Sequence, residues 1–90
     1  MAHTSRDKAK LLARVRRIAG QVAAIETALA DEKDCNSVLQ LIASCRGAIG
    51  GLMFEVVEGH VRCHVMEEED EARRNKAAAE LIEVLKPYLK

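Results

Sequence analysis

Two long stretches of this chain place apolar residues alternately four and three positions apart, with no proline inside either. In the first, Leu11, Val15, Ile18, Val22, Ile25 and Leu29 keep that spacing for nearly three heptads. In the second, Val38, Ile42, Cys45, Ile49, Leu52 and Val56 repeat it. A period of about 3.5 residues is the seam of a coiled coil, and it excludes half-buried strands, whose period is two. The sole proline, Pro87, comes almost at the end. The expectation is an all-α chain of three helices, with no internal repeat and no linker.

The first helix is expected from about Ser5 to Ala30, capped by Thr4 or Ser5, with Asp7 in its first turn. Asp31-Glu32-Lys33-Asp34 reads as a polar turn, and Asp34 or Asn36 can cap the second helix. Leu39, Leu41, Ala48, Met53 and Val57 widen the apolar surface of that second helix beyond one stripe. A helix apolar on more than one side belongs at the centre of an assembly. Gly47, Gly50 and Gly51 would weaken it in isolation and imply close helix approach or a bend. Glu67 to Glu71 form an acidic connection. The third helix is expected from about Asp70 to Leu89, with Ala77, Ala78, Leu81, Ile82, Leu85 and Leu89 inward and its last turn disturbed by Pro87.

Composition bears on how such helices are stabilised. Ninety residues make one domain, spanning 1–90, and aromatics are only 2% of them. Large aromatic anchors therefore cannot build the core, although hydrophobic residues reach 49%. A chain this short buries only about 60–65% of its unfolded surface. Thin apolar helices then need partner helices, which points to an oligomer. No apolar run approaches the roughly 20 residues of a membrane span. The N-terminus lacks the apolar stretch of a signal peptide. A cytoplasmic protein with no membrane partner is expected. Three cysteines without a close CxxC pair argue for free or metal-bound thiols rather than a disulfide framework.

The formal net charge is zero, which argues against diffuse nucleic-acid binding, but the charge is unevenly spread. Arg6, Lys8, Lys10, Arg14, Arg16 and Arg17 crowd the first 17 residues against Asp7 alone. Lys10, Arg14, Arg17 and Gln21 follow i, i+4, i+7, i+11 and form a polar stripe beside the apolar seam, with Arg16 pointing elsewhere. Concentrated on one helix and repeated by symmetry, such a stripe suits phosphate contact. No helix-turn-helix, zinc finger or stacking motif is present. Sequence choice would then lean on DNA shape and a few arginines.

The remaining polar residues of note are metal ligands by type: His3, Cys35, His60, Cys63 and His64. His60 and His64 are spaced i, i+4 on one helix face and can share an ion. Cys35 is 25 residues before His60, on the same face but about 37 Å away along a straight helix. Two copies packed antiparallel would bring Cys35 of one to His60 and His64 of the other, making two equivalent sites. Removal of Met1 would free the amine of Ala2 beside His3, adding two nitrogens. One thiolate with several nitrogens suits Ni(II) or Co(II) better than Cu(I), and differs from a closed thiolate-rich zinc site. Cys63 lies about 60° round the helix from His60, as a further ligand, a neighbour of the site or a bystander. Cys45 falls on the apolar seam and reads as core.

These residues together resemble the CsoR/RcnR family of all-helical bacterial repressors over essentially the full chain. The resemblance is carried by Arg14-Val15-Arg16-Arg17-Ile18-Ala19-Gly20-Gln21, by Cys35 followed by Val38-Leu39-Gln40-Leu41-Ile42-Ala43, by Arg46-Gly47-Ala48 and Gly51-Leu52-Met53, and by the ending Leu85-Lys86-Pro87-Tyr88-Leu89-Lys90. It implies an antiparallel helical-bundle dimer assembling as a dimer of dimers, a homotetramer that represses an efflux operon when metal-free. In that family the copper type has Cys where His64 stands, the persulfide type has Cys where His60 stands, and the formaldehyde type usually lacks His64. His3, Cys35, His60 and His64 resemble the nickel/cobalt, RcnR/DmeR-like type. Cys63, where that type carries an acid, could turn preference toward Zn(II) or Cu(I).

Other readings lead to different observables. A formaldehyde or persulfide signal at Cys35 would add mass covalently and leave His3 and His64 without a role. A Cys35–His60 nucleophile pair lacks an oxyanion hole, an orienting acid and a substrate pocket, so neither an enzyme nor a small-molecule substrate is expected. A plain metal store would not need the basic first helix.

Overall fold

A computed structural model describes residues 7–88. Three α-helices run in order: α1, Lys8–Ala30; α2, Cys35–His60; and α3, Glu71–Leu85. A π-helical segment, Val61–Met66, continues α2 without a break, and a 3-10 turn, Lys86–Tyr88, ends α3. No strand occurs among the described residues.

The boundaries follow from local hydrogen bonding. Asp7 is the N-cap of α1 rather than part of its first turn, and its side chain makes no capping bond. The expected caps Thr4 and Ser5 lie outside the described residues. At the other end, Lys33 N donates to Ala28 O at 2.9 Å and Glu32 N to Leu29 O at 3.2 Å. That pair is the Schellman arrangement, which requires a left-handed residue just past the helix. Glu32 occupies it at φ 55°, where glycine would be favoured.

Asp34, not Asn36, caps α2. Its carboxylate accepts from Ser37 N at 3.1 Å and from Ser37 Oγ at 2.7 Å. The Ser37 hydroxyl, followed by the Ser37 backbone N–H, holds the Asp34 carboxyl below its ordinary value. Asp70 caps α3 by accepting from Arg73 N at 2.9 Å. Pro87 lies in the tightened terminal turn, as expected; Leu89 is outside the described residues.

α1 and α2 fold back on one another as an antiparallel hairpin, and α3 makes its main contacts with the π-helical segment. The resulting body measures 55 × 31 × 13 Å, with a radius of gyration of 17.2 Å. A compact chain of this length would have a radius near 12 Å. A helix with side chains is about 10–12 Å across, so the protomer is a single layer of helices.

A single layer has no interior. Of the described residues only Ala28 and Cys45 are buried, each 5% exposed, which agrees with Cys45 as core. Val15, Val22, Leu29, Ile42 and Ile49 of the two seams stay exposed, as do Leu39, Met53 and Phe54 beside the second seam. A helical layer is stabilised by burying its apolar face on a second layer, and within one chain this face stays uncovered.

Gly47 and Gly50 have nothing within 4 Å of the position a Cβ would take, so no helix of the same chain backs on to them. The apolar content of α2 exceeds the sequence reading. Cys35–Met66 is 32 residues long, with an 18-residue mean hydropathy of 1.4, enough by length and composition alone to cross a membrane. Small apolar residues such as Ala43 and Ala48 raise that mean between larger side chains, while Arg46, Glu55 and Glu58 interrupt the run.

Candidate metal site and nucleic-acid interface

His60 closes α2, and His64 and Cys63 follow in the π-helical segment; all three are half-buried. In an α-helix a residue four positions on is about 40° round the axis. The i→i+5 bonding of a π turn, seen in Glu67 N donating to Arg62 O at 2.9 Å, widens each turn and reduces that offset. The imidazole rings of His60 and His64 accordingly lie 4.9 Å apart between centroids, tilted by 47°. With metal–nitrogen bonds of about 2.1 Å at about 90–100° to each other, two imidazoles sharing one ion have centroids about 4.5–5 Å apart. The centroid separation thus falls within the range of two imidazoles on one ion. The Nε2 atom of His60 is shielded from solvent.

One chain brings no third donor to that pair: among the described residues no group of three His, Cys, Asp or Glu converges. Cys35 is the first residue of α2, exposed, at the opposite end from His60. The 26 residues of the helix hold the two apart by about 37 Å. Ala2 and His3 fall outside the described residues. Cys63 shares the segment of His64, close in sequence to both imidazoles.

The basic stripe is divided by its surroundings. Arg16 and Arg17 are exposed on α1. Lys10, Arg14 and Gln21 instead turn toward α2. Gln21 Nε2 donates to Ser44 Oγ at 3.4 Å. Arg14 Nε pairs with Glu55 Oε2 at 2.8 Å and Lys10 Nζ with Glu55 Oε1 at 3.1 Å. Arg14 reaches across α2 because position 51 has no side chain: a Cβ there would lie 2.7 Å from Arg14 Nη1. Arg14, Arg17, Ile18, Gln21 and Ala48 line a shallow cleft between the helices.

Sequence reasoning missed Glu55. The signal was available, since Glu55 is a lone acid inside the otherwise apolar run Leu52 to Val57. A carboxylate placed there needs a cation from a neighbouring helix.

The protomer is all-helical, with basic residues along α1 and two neighbouring imidazoles at the end of α2. A family model described as metal-sensitive transcriptional repressor matches residues 7–87, and the chain belongs to that family. Its relatives include the transcriptional repressor RcnR of Salmonella paratyphi B, 47% identical over 90 residues and covering 100% of both chains. A Serratia marcescens relative known as the protein in the bioA 5′ region is 50% identical over 91 residues, again with 100% coverage of both. Among solved structures, a variant of the formaldehyde-responsive regulator FrmR from Salmonella enterica serovar Typhimurium superposes with a TM-score of 0.84. It is 45% identical, over 93% of this chain and 96% of that one. The resemblance read from the sequence and the all-helical fold are both borne out.

Proposed function

We propose that this metal-sensitive transcriptional repressor responds to Ni(II) or Co(II). The metal-free protein binds operator DNA, and metal releases it to derepress a metal efflux gene. The observation that carries the choice of metal is His64 beside His60, with ring centroids 4.9 Å apart. Full-length identity of 47% to RcnR supports it.

Cys35 of one copy completes the pair on another, with the Ala2 amine and His3 supplying further nitrogens. One thiolate and several nitrogens leave room for six ligands, the preference of Ni(II) and Co(II) over Cu(I). The working unit is a homotetramer, a dimer of antiparallel dimers in the cytoplasm. Its second layer of helices covers the apolar face of α2 that lipid would otherwise have to cover. Lys10, Arg14, Arg16, Arg17 and Gln21 carry DNA contact, and no small-molecule substrate is involved.

The test is an anaerobic Co(II) titration of the reduced protein, followed by visible and near-ultraviolet absorption. Weak d–d bands with one-thiolate charge transfer, saturating at one Co(II) per chain, are expected. Intense d–d bands would mean a tetrahedral site that includes Cys63 and would move the assignment to Zn(II) or Cu(I). The formaldehyde-responsive neighbour and the exposure of Cys35 favour one second reading, a covalent signal at Cys35. Release from DNA by formaldehyde or persulfide in the absence of metal, with added mass at Cys35, would establish it.

A further inference from the structure

We propose that Glu55 acts as an internal stand-in for phosphate, competing with the DNA backbone for Arg14 and Lys10 and so setting the strength of operator binding. This rests on the basic stripe of α1 being the DNA-contacting surface. Three observations carry it. First, one carboxylate engages both cations, Arg14 Nε at 2.8 Å and Lys10 Nζ at 3.1 Å. Second, its shielding is asymmetric: the Glu55 side chain is 17% exposed, whereas Lys10 remains 72% exposed. The carboxylate is fixed on α2, and the lysine is free to be drawn outward by an approaching anion. Third, Gly51, one turn before Glu55, leaves the gap through which Arg14 reaches it, since any side chain at position 51 would meet Arg14 Nη1.

The physical consequence follows from charge. A phosphate and a carboxylate make the same charge-assisted contacts to a guanidinium. DNA that takes Arg14 or Lys10 must displace Glu55 or bring its own negative charge up against it. Affinity and its salt dependence are both reduced, because a cation already neutralised within the protein releases fewer counterions from the duplex. The arrangement also places the control on α2, the helix that ends in His60.

Glu55→Gln removes the charge and keeps the shape. Binding of the full-length, metal-free protein to a fluorescein-labelled duplex from the 5′ region of its own gene is followed by anisotropy across a salt series. Glu55→Gln is expected to bind about fivefold more tightly at low salt, the equivalent of one surface ion pair relinquished. Its plot of log affinity against log salt should steepen by about 0.9 for each phosphate gained. Gly51→Ala attacks the contact from the other side by pushing Arg14 off the carboxylate, at no cost to helix propensity. It should tighten binding in the same sense, and add nothing in the Glu55→Gln background. An unchanged Co(II) spectrum in both variants verifies that the fold and the histidine pair persist. If Arg14→Ala weakens binding but Glu55→Gln leaves affinity and slope unchanged, or lowers either, the competition does not exist. If Arg14→Ala leaves binding unaltered, the stripe itself is not the DNA surface, and both assignments fail together.

Discussion

The 37 Å between Cys35 and His60 makes a quantitative prediction about mixed oligomers. Consider two variants in a Cys63→Ser background, one carrying Cys35→Ala and the other His60→Ala with His64→Ala. Each homodimer lacks one half of every site, so neither should show thiolate-to-Co(II) charge transfer. In a heterodimer the first chain supplies His60 and His64, and the second supplies Cys35. One of its two sites is then complete, and the other has lost both halves. Random exchange of equal amounts gives about half heterodimers, so about one quarter of all sites should recover the wild-type band. The fraction follows from random pairing, and the need for two chains follows from helix length. A metal–sulfur bond of about 2.3 Å cannot bridge two ends of one helix about 37 Å apart. The assay is co-refolding of the two variants followed by anaerobic Co(II) titration near the sulfur charge-transfer band. No recovery on mixing would refute a site shared between chains. Signal in the unmixed histidine variant would show that Cys35 binds metal without His60 and His64.

Three further outcomes can be checked by thermal unfolding. Glu32→Gly relieves a left-handed strain of roughly 1–2 kcal/mol at a cost in chain entropy of about 1 kcal/mol. The midpoint should rise by about 2–4 °C, and a fall would mean that the Glu32 side chain stabilises the turn. Cys45→Ser sets a hydroxyl in an apolar setting and should cost about 1–2 kcal/mol while leaving the Co(II) spectrum untouched, in contrast to Cys35→Ala. Asp34→Ala should lower the midpoint at neutral pH. Because the Ser37 hydroxyl and backbone N–H hold the Asp34 carboxyl below its ordinary pKa, the gap between wild type and variant should close as pH falls below the usual carboxylate range; a gap independent of pH would remove the charged cap from the account.

The fold was legible where hydrogen bonding is local. The two apolar seams placed α1 and α2, and Asp34 and Asp70 marked helix starts because a capping carboxylate acts within three residues. Pro87 marked the end of α3 for the same reason, having no N–H to donate. The π-helical turn at Val61–Met66 left no trace in residue type, since it depends on how α3 packs against the end of α2. The approach of His60 and His64 was visible because residues four apart share a helix face, and the π turn, which was not visible, reduces their offset further. The inward turn of Lys10 and Arg14 was not: a basic residue on a helix reads as solvated until the acid opposite is known, and Glu55 lies 41 residues beyond Arg14. Gly51 was read as a place of close helix approach, and within the chain it is the Arg14 side chain of α1 that comes close to it.

A body only 13 Å thick also has consequences for the life of the chain in the cell. If, as proposed, the chain covers its apolar face with another copy, it completes its folding in a second-order reaction. Each newly made chain must find another before its apolar surface is covered, and until then it is the form that proteases and chaperones meet. Abundance and stability are therefore one variable. A small pool is diminished further by turnover, and a larger pool protects itself. In that assembly, the thinness of a single helical layer would set the lower limit on the number of repressor molecules.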